Sequence, residues 1–194
     1  MILAITNQKG GVGKTTTVLN IGVYLAVKNK KVLIVDIDPQ SNLTSGLGLM
    51  NNNIASETES NVERKTVYDV LVNKEEPKEI IIETRIPNLH LLPSGIELAG
   101  AEIELVNAMS RENILKKALE SVKSNYDFIL IDCPPSLGLL TINGLVAANG
   151  ILIPVQAEYF ALEGLGQLMN TVNLIKGNLN FSLEIGGVIL TMYD

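Results

Sequence analysis

Short apolar runs alternate along the chain with longer stretches in which apolar residues recur every three or four positions. The short runs are typical of strands buried on both faces of a sheet. The longer stretches, such as the one that carries Val18, Ile21, Gly22 and Leu25, predict amphipathic helices. This alternation predicts an α/β fold with a doubly wound, mostly parallel sheet and helices on both faces, a Rossmann-like three-layer sandwich. The six predicted strands lie at residues 1–5, 32–35, 89–93, 128–132, 150–155 and 187–191.

The segments between these strands predict helices of different lengths. Residues 41–65 lack apolar periodicity and predict a long exposed loop after a short turn. Ser110 is predicted to cap the helix that follows it. His90, the only histidine, lies in an alternating apolar stretch and is predicted to be structural. The predicted helices beyond the first lie at residues 66–73, 78–84, 98–109, 111–122, 139–148 and 162–175.

The turn between the first strand and the first helix carries the clearest chemistry. Gly10, Gly11 and Gly13 allow the backbone to turn its N–H groups toward an anion, at the positive end of the helix dipole. Lys14 and Thr15 complete a Gly-Lys-Thr ending, in which the lysine reaches the β/γ-phosphates and the hydroxyl binds Mg²⁺. We therefore predict a P-loop.

This P-loop departs from the standard pattern G-x-x-x-x-G-K-[ST]. The pattern requires a glycine at position 8, where this chain has Gln8, and a second lysine, Lys9, lies inside the loop. The strand before the loop and the helix after it are the context that a P-loop needs. That context argues against a flexible turn with two solvated lysines.

Three aspartates follow predicted strands. Asp36 and Asp38 come at the end of the second strand, and Asp132 closes the fourth. Ligands of open α/β sheets bind at the carboxyl ends of the strands, so we expect these carboxylates to share a crevice with the P-loop. Asp132 is predicted to hold Mg²⁺, and Asp38 to orient the water that attacks a phosphate.

The composition limits the number of domains, the cellular compartment and the kinds of partner that we expect for this chain. The 194 residues suit a single domain, with 46% hydrophobic and 19% charged residues. Cys133 is the only cysteine, which excludes an internal disulfide and fits the reducing cytoplasm. No apolar run approaches membrane-spanning length, and the N-terminus has no signal-peptide pattern. The net charge of −6 argues against strong nucleic-acid binding by bulk electrostatics.

The motifs together resemble those of the ParA/Soj partition ATPases, a branch of the deviant Walker-A group. The resemblance covers the whole chain. It rests on Lys-Gly-Gly-Val-Gly-Lys-Thr-Thr (9–16), Asp-Ile-Asp-Pro-Gln (36–40) and Asp-Cys-Pro-Pro-Ser-Leu-Gly (132–138). Residues 99–105 and 154–165 also resemble the chromosomal Soj branch.

The resemblance implies an ATPase that forms a homodimer when it binds ATP and Mg²⁺. Lys9 is expected to cross to the partner's phosphates, Lys14 to bind phosphate in its own subunit, and Asp38 to position the attacking water. These three residues are the expected catalytic set. Thr15, Asp38 and Asp132 are the expected Mg²⁺ site. The nucleotide-binding residues are expected to be Lys9, Gly10, Gly11, Val12, Gly13, Lys14, Thr15 and Thr16.

The resemblance also implies partners. A ParB-like protein is expected to stimulate hydrolysis, and the ATP-bound dimer is expected to bind DNA without sequence specificity. The family places its DNA-binding arginines beyond the point at which this sequence ends. We therefore expect residues 1–194 to be one P-loop NTPase domain without its C-terminal elements, which binds DNA weakly or not at all. The full-length protein is expected in the cytoplasm, on the nucleoid and away from membranes.

Other members of the deviant group fit less well. An iron–sulfur protein needs several cysteines, and the tyrosines of a bacterial tyrosine kinase cluster, whereas the five here are scattered. A MinD-like membrane-cycling ATPase and a scaffold that binds ATP without hydrolysing it remain alternatives. One departure from the ParA/Soj pattern is Ser41, where glycine is usual, and we expect the serine to be tolerated unless its φ is positive.

Overall fold

The fold is built on one seven-stranded sheet. A computed structural model describes residues 1–49, 64–158 and 161–193, with no side chains described for 161–163. Most of the predicted loop 41–65 lies outside this range, as do Tyr159 and Phe160 of the Soj-like stretch. The strands are β1 (Ile2–Ile5), β2 (Val32–Asp36), β3 (Ile82–Glu83), β4 (Leu89–Leu92), β5 (Phe128–Asp132), β6 (Gly150–Gln156) and β7 (Glu184–Thr191).

The strand order is β3-β4-β2-β5-β1-β6-β7, and every neighbouring pair except β3–β4 is parallel. β1 lies between β5 and β6 and pairs Ile5 with Asp132 on one side and with Leu152 on the other. The central strands are buried on both faces, as their continuous apolar sequences predict. The loop after β1 therefore leaves the sheet beside the carboxyl ends of β5 and β6.

Helices cover both faces of the sheet. On one face, Val18 of the first helix and Leu43 of the second pack against Ile34. The other five helices pack on the opposite face, for example through Leu115 and Leu168. The helices are α1 (Lys14–Val27), α2 (Asn42–Gly46), α3 (Val67–Leu71), α4 (Leu98–Glu104), α5 (Ile114–Glu120), α6 (Leu139–Ala147) and α7 (Ala161–Asn178).

The predicted doubly wound fold and its six strands are confirmed, and three local predictions are wrong. The predicted helix 78–84 is a short 3-10 turn followed by β3, whose two residues pair antiparallel with the edge strand β4. The short helix α2 lies where we predicted only a turn and a loop. Ser110 makes no capping hydrogen bond through its side chain, because it adopts a left-handed conformation with φ 52°.

His90 is structural in its contacts. Its Nδ1 lies 2.9 Å from the hydroxyl of Tyr126, and the two rings meet edge to face. His90 lies within β4, in agreement with its alternating apolar stretch, and Tyr126 lies just before β5.

A glycine sets the distance between α1 and the sheet. A Cβ atom added at Gly22 would lie 3.0 Å from Cγ2 of Ile34 and 3.3 Å from Cδ1 of Leu89. These are contacts tighter than side chains normally make. The helix α1, which follows the P-loop, can therefore lie this close to β2 and β4 because residue 22 has no side chain.

We predict that Gly22→Leu lowers the free energy of unfolding by about 1–3 kcal/mol, because the larger side chain overpacks this contact. Urea denaturation measures the change. The matched control is Gly177→Leu on α7, where an added Cβ meets nothing within 4 Å. That variant should unfold at a similar or higher urea concentration, because leucine forms helix more readily than glycine. Equal effects of the two substitutions would contradict the close approach at Gly22.

Candidate functional site

The P-loop opens directly into α1. Gly11 and Gly13 have φ angles of 74° and 83°, a left-handed conformation that favours glycine. Gly13 is the N-cap of α1, and no side chain makes a capping hydrogen bond there. The N–H groups of the first helical turn therefore point toward the loop without a side-chain cap. This is the arrangement in which helix N-termini bind phosphate.

Lys14 is buried at the base of this loop. Its Nζ donates a hydrogen bond to the carbonyl of Lys9 at 3.1 Å, so the side chain folds back across the loop. Burial lowers the pKa of Lys14, and the negative charges of Asp132 and Asp38 oppose that shift. The ammonium group therefore lies near both carboxylates in a partly desolvated position, where its attraction to phosphate is strong.

Asp132 is a buried carboxylate that lies close to the hydroxyl of Thr15. It ends β5 next to β1, is 1% exposed, and neither Oδ1 nor Oδ2 has a partner among the described residues. Burial raises the pKa of Asp132 to about 7. The nearby hydroxyl of Thr15 opposes this shift in pKa, whereas the charges of Asp36 and Asp38 add to it. An unpartnered buried carboxylate is costly unless something pairs with it. Its oxygens are suitable ligands for Mg²⁺.

Asp36 differs from Asp132 because both of its oxygens are used. Oδ2 accepts hydrogen bonds from the N–H and the hydroxyl of Thr44, at 2.9 and 2.7 Å. Oδ1 accepts from the N–H of Asp38 at 3.1 Å. Burial nevertheless raises the pKa of Asp36 to about 6. Asp36 therefore organises the loop after β2 and has no free oxygen pointing to a ligand.

Asp38 lies in that loop with its carboxylate largely buried. Its Oδ1 accepts a hydrogen bond from the N–H of Gln40 at 2.9 Å, which fixes the turn through Pro39. The loop ends at Ser41, whose φ of 52° is left-handed. The condition under which we expected serine to be unfavourable there is therefore met, and the loop holds a conformation that favours glycine.

Lys9 is tied to the segment that follows β6. Its Nζ forms a 2.6 Å ion pair with Oε2 of Glu158. Its N–H donates to the side chain of Asn7, whose Nδ2 in turn donates to the carbonyl of Pro154 at 2.6 Å. The start of the P-loop is thus attached to the end of β6 at two points.

Several polar residues around the site were not predicted from the sequence. Thr44 and Ser94 bind the loop after β2, Asn7 and Glu158 hold Lys9, and Thr191 donates from its hydroxyl to the carbonyl of Val12 at 2.9 Å. Glu158 lies within the Soj-like stretch 154–165 and Asn7 lies two residues before the P-loop motif, so a position in or beside a motif was a usable signal. Ser94 lies just after β4 and Thr191 is the last residue of β7, and this position at the carboxyl ends of parallel strands, where ligands bind, was the only hint.

No group of three or more His, Cys, Asp or Glu side chains in residues 1–49, 64–158 and 161–193 is placed to hold a metal ion. Mg²⁺ in nucleotide sites is commonly held by one or two protein groups together with substrate phosphates. Within the described part of the chain, no helix is both long and apolar enough to cross a bilayer.

We predict that the ligand-free protein becomes less stable as the pH rises from about 4 to about 7. In the native protein the carboxyl of Asp36 keeps its proton up to about pH 6 and that of Asp132 up to about pH 7, whereas in the unfolded chain both lose it near the pKa of 3.8. The two groups should therefore lower the free energy of unfolding by up to about 1.4 kcal/mol each per pH unit. Urea denaturation at a series of pH values without Mg²⁺ measures the slope.

The variant Asp132→Asn isolates one of the two groups. Its stability relative to the original protein should increase as the pH rises from about 4 to about 7 and then stay constant, because the amide does not ionise. Glu79→Gln on the surface controls for the loss of one negative charge. A difference between Asp132→Asn and the original protein that does not change with pH would contradict the buried ionisation.

The geometry agrees with comparisons to known proteins. A family described as an AAA domain matches residues 1–185. Soj, the sporulation initiation inhibitor protein of Bacillus subtilis, is 58% identical over all of this chain, which covers 73% of that protein. The chromosome-partitioning ATPase Soj of Treponema pallidum is 52% identical over 99% of this chain, which covers 71% of it.

Solved structures show the same fold. A cobyrinic acid a,c-diamide synthase from Mycobacterium smegmatis, with bound ADP and magnesium, has a TM-score of 0.89 and 41% identity. This chain covers 75% of it. A plasmid partition protein from Borrelia burgdorferi has a TM-score of 0.85 and 30% identity, with 79% covered. All of this chain is matched in both. With sequence relatives at 52% and 58% identity and this shared fold, the chain belongs to the Soj/ParA family of chromosome-partitioning ATPases.

Proposed function

We propose that this chain binds ATP with Mg²⁺, dimerises in that state and hydrolyses the ATP to end it, as a partition ATPase. The observation that carries the proposal is Asp132. It is a buried carboxylate beside the P-loop, near the hydroxyl of Thr15 and the charge of Lys14, and neither of its oxygens has a hydrogen-bond partner in the part of the chain that the structure describes. A buried carboxylate without hydrogen-bond partners favours binding of a cation. A cation next to a phosphate-binding loop is what enzymes of phosphoryl transfer require.

The P-loop supplies the phosphate contacts. Residues 9–16 curve around the N-terminus of α1, where Gly11 and Gly13 keep the backbone free of side chains. We assign phosphate binding to the N–H groups of this loop and to the ammonium of Lys14. Val12 in the loop and Thr16 in the first turn of α1 would contribute through their backbone N–H groups.

Thr15, Asp132 and Asp38 would hold the Mg²⁺ ion. Thr15 follows Lys14 in the first turn of α1, and the two aspartates end or follow neighbouring parallel strands. When bound, the ion neutralises charge that develops on the transferred phosphoryl group. All three groups lie at the same edge of the sheet, and the hydroxyl of Thr15 and the charge of Asp38 both act on the carboxyl of Asp132.

Asp38 would orient the water that attacks the terminal phosphate. Its backbone is fixed by hydrogen bonds and its carboxylate is partly desolvated, as a positioning group requires. We also assign the wider role of the family to this chain. Nucleotide-dependent dimerisation, a ParB-like stimulating protein and non-specific DNA binding by the full-length protein in the cytoplasm all remain proposals.

We predict that Asp38→Ala binds ATP with nearly unchanged affinity but loses at least about 99% of its hydrolysis, which leaves the ATP-bound dimer trapped. Phosphate release in a single turnover measures hydrolysis, and fluorescent-nucleotide titration measures affinity.

Asp127→Ala is the matched control for Asp38→Ala. Oδ2 of Asp127 also accepts a main-chain N–H, that of Lys31 at 2.8 Å, but at the opposite end of the sheet. This variant should hydrolyse ATP normally. Unchanged phosphate release by Asp38→Ala would remove Asp38 from the mechanism, and loss of ATP binding would make it a binding residue instead.

The ion pair of Lys9 bears on dimerisation. If Lys9 reaches the phosphates of the partner subunit, it must first leave Glu158, which lies 2.6 Å away in its own subunit. Both side chains are substantially exposed, so the pair is weak and water replaces it readily. Glu158 therefore competes with the partner's phosphates for the same ammonium group.

We predict that Glu158→Gln strengthens ATP-dependent dimerisation by up to about fivefold, because the competing contact is weakened. Sedimentation equilibrium with ATP, in the Asp38→Ala background that prevents turnover, gives the dissociation constant of the dimer.

Glu75→Gln is the control, because it breaks a similar exposed pair, Glu75 with Lys65 at 2.7 Å, away from the site. It should leave the dimer unchanged. Weaker dimerisation of Glu158→Gln would show that Glu158 itself contributes to the dimer contact.

A further inference from the structure

We infer that Ser94 is a positioning residue for ATP hydrolysis, which acts by fixing the main chain of Asp38; this inference rests on the proposed function. Ser94 lies two residues beyond the end of β4 and is 2% exposed. Its hydroxyl donates a hydrogen bond to the carbonyl of Asp38 at 2.8 Å. No sequence motif drew attention to it.

The contact belongs to a closed ring of buried hydrogen bonds. The N–H of Ser94 donates to the hydroxyl of Thr44 at 3.0 Å, and that hydroxyl donates to the carboxylate of Asp36 at 2.7 Å. The carboxylate of Asp36 also accepts a hydrogen bond from the N–H of Asp38. The carbonyl of Asp38 accepts one from the hydroxyl of Ser94, which closes the ring. Three separate segments of the chain, the ends of β2 and β4 and the helix α2, are joined in this ring.

The ring holds Asp38 from both sides of its α-carbon. Its N–H is bound to Asp36, and its carbonyl accepts both the N–H of Ser41 at 2.9 Å and the hydroxyl of Ser94. The bonds to Asp36 and Ser41 are local and move with the loop. The bond to Ser94 joins the loop to another strand of the sheet, so it fixes where the loop lies.

The position of this loop matters for the reaction more than for binding. A displacement of about 1 Å in a group that orients a reactant can cost a factor of about 100 in rate. Phosphate binding depends on the P-loop, which follows β1 and has no described hydrogen bond to Ser94. Loss of the Ser94 hydroxyl should therefore lower the rate of hydrolysis and spare the affinity for ATP.

The test compares Ser94→Ala with the original protein in single-turnover hydrolysis and in nucleotide titration. The rate should fall about 10- to 100-fold, while the dissociation constant for ATP should change by less than about twofold. Ser94→Thr keeps the hydroxyl and should recover most of the rate. Ser94→Cys keeps the size of the side chain with a weak donor and should be intermediate, which preserves the test if Ser94→Ala fails to fold.

Thr84→Val is the matched control. The hydroxyl of Thr84 also donates to a main-chain carbonyl at 2.8 Å, that of Leu89, but at the other end of β4. It should lower the melting temperature without a change in the rate per folded molecule. A similar loss of rate in both variants would mean that Ser94 acts only through general stability.

A double variant separates this inference from the proposed function. In the Asp38→Ala background, Ser94→Ala should cause no further loss of hydrolysis, because its effect passes through Asp38. A further loss would overturn the inference, as would full activity of Ser94→Ala while Asp38→Ala is inactive. If neither single variant affects hydrolysis, the assigned role of Asp38 fails as well.

Discussion

The rest of the structure has to accommodate ionisable side chains that are buried, with few hydrogen-bond partners, at the carboxyl edge of the central strands. Among the residues that the structure describes, the carboxylate of Asp132 is buried without a hydrogen-bond partner, and the ammonium of Lys14, buried nearby, donates only to the carbonyl of Lys9. A protein selected for stability alone would fill such a position with apolar or fully paired groups. Here the rest of the fold supplies the compensation, through the continuous apolar packing of β1, β2 and β5 on both faces.

The strand order determines which groups meet. With β1 between β5 and β6, the P-loop has Asp132 on one side and the Asn7–Pro154 contact on the other. β2 lies beside β5 and brings the loop of Asp38 to the same edge. A chain with the same motifs but another strand order would place the carboxylates away from the loop, so the parallel topology is itself part of the site.

The sequence predicted those elements whose local residue pattern reflects their surroundings in the folded protein. A strand buried on both faces is apolar throughout, and a phosphate loop needs glycine and lysine at fixed spacing, so both are readable. Ser94 and Thr44 are ordinary polar residues whose role arises only when β2 and β4 become neighbours. The helix α2 was missed for a similar reason, because its five residues are held by the bonds of Thr44 to Asp36 rather than by helical periodicity.

The two loops that carry Lys9 and Asp38 share one way of being held. Each is fastened by a polar contact to a segment that follows a different strand, Lys9 through Glu158 after β6 and Asp38 through Ser94 after β4. The first contact is exposed and easily exchanged, whereas the second is buried and closed into a ring. A group that must move to a partner subunit needs the first kind of contact, and a group that must hold a water in place needs the second. The difference in burial therefore matches the two roles that we propose for Lys9 and Asp38.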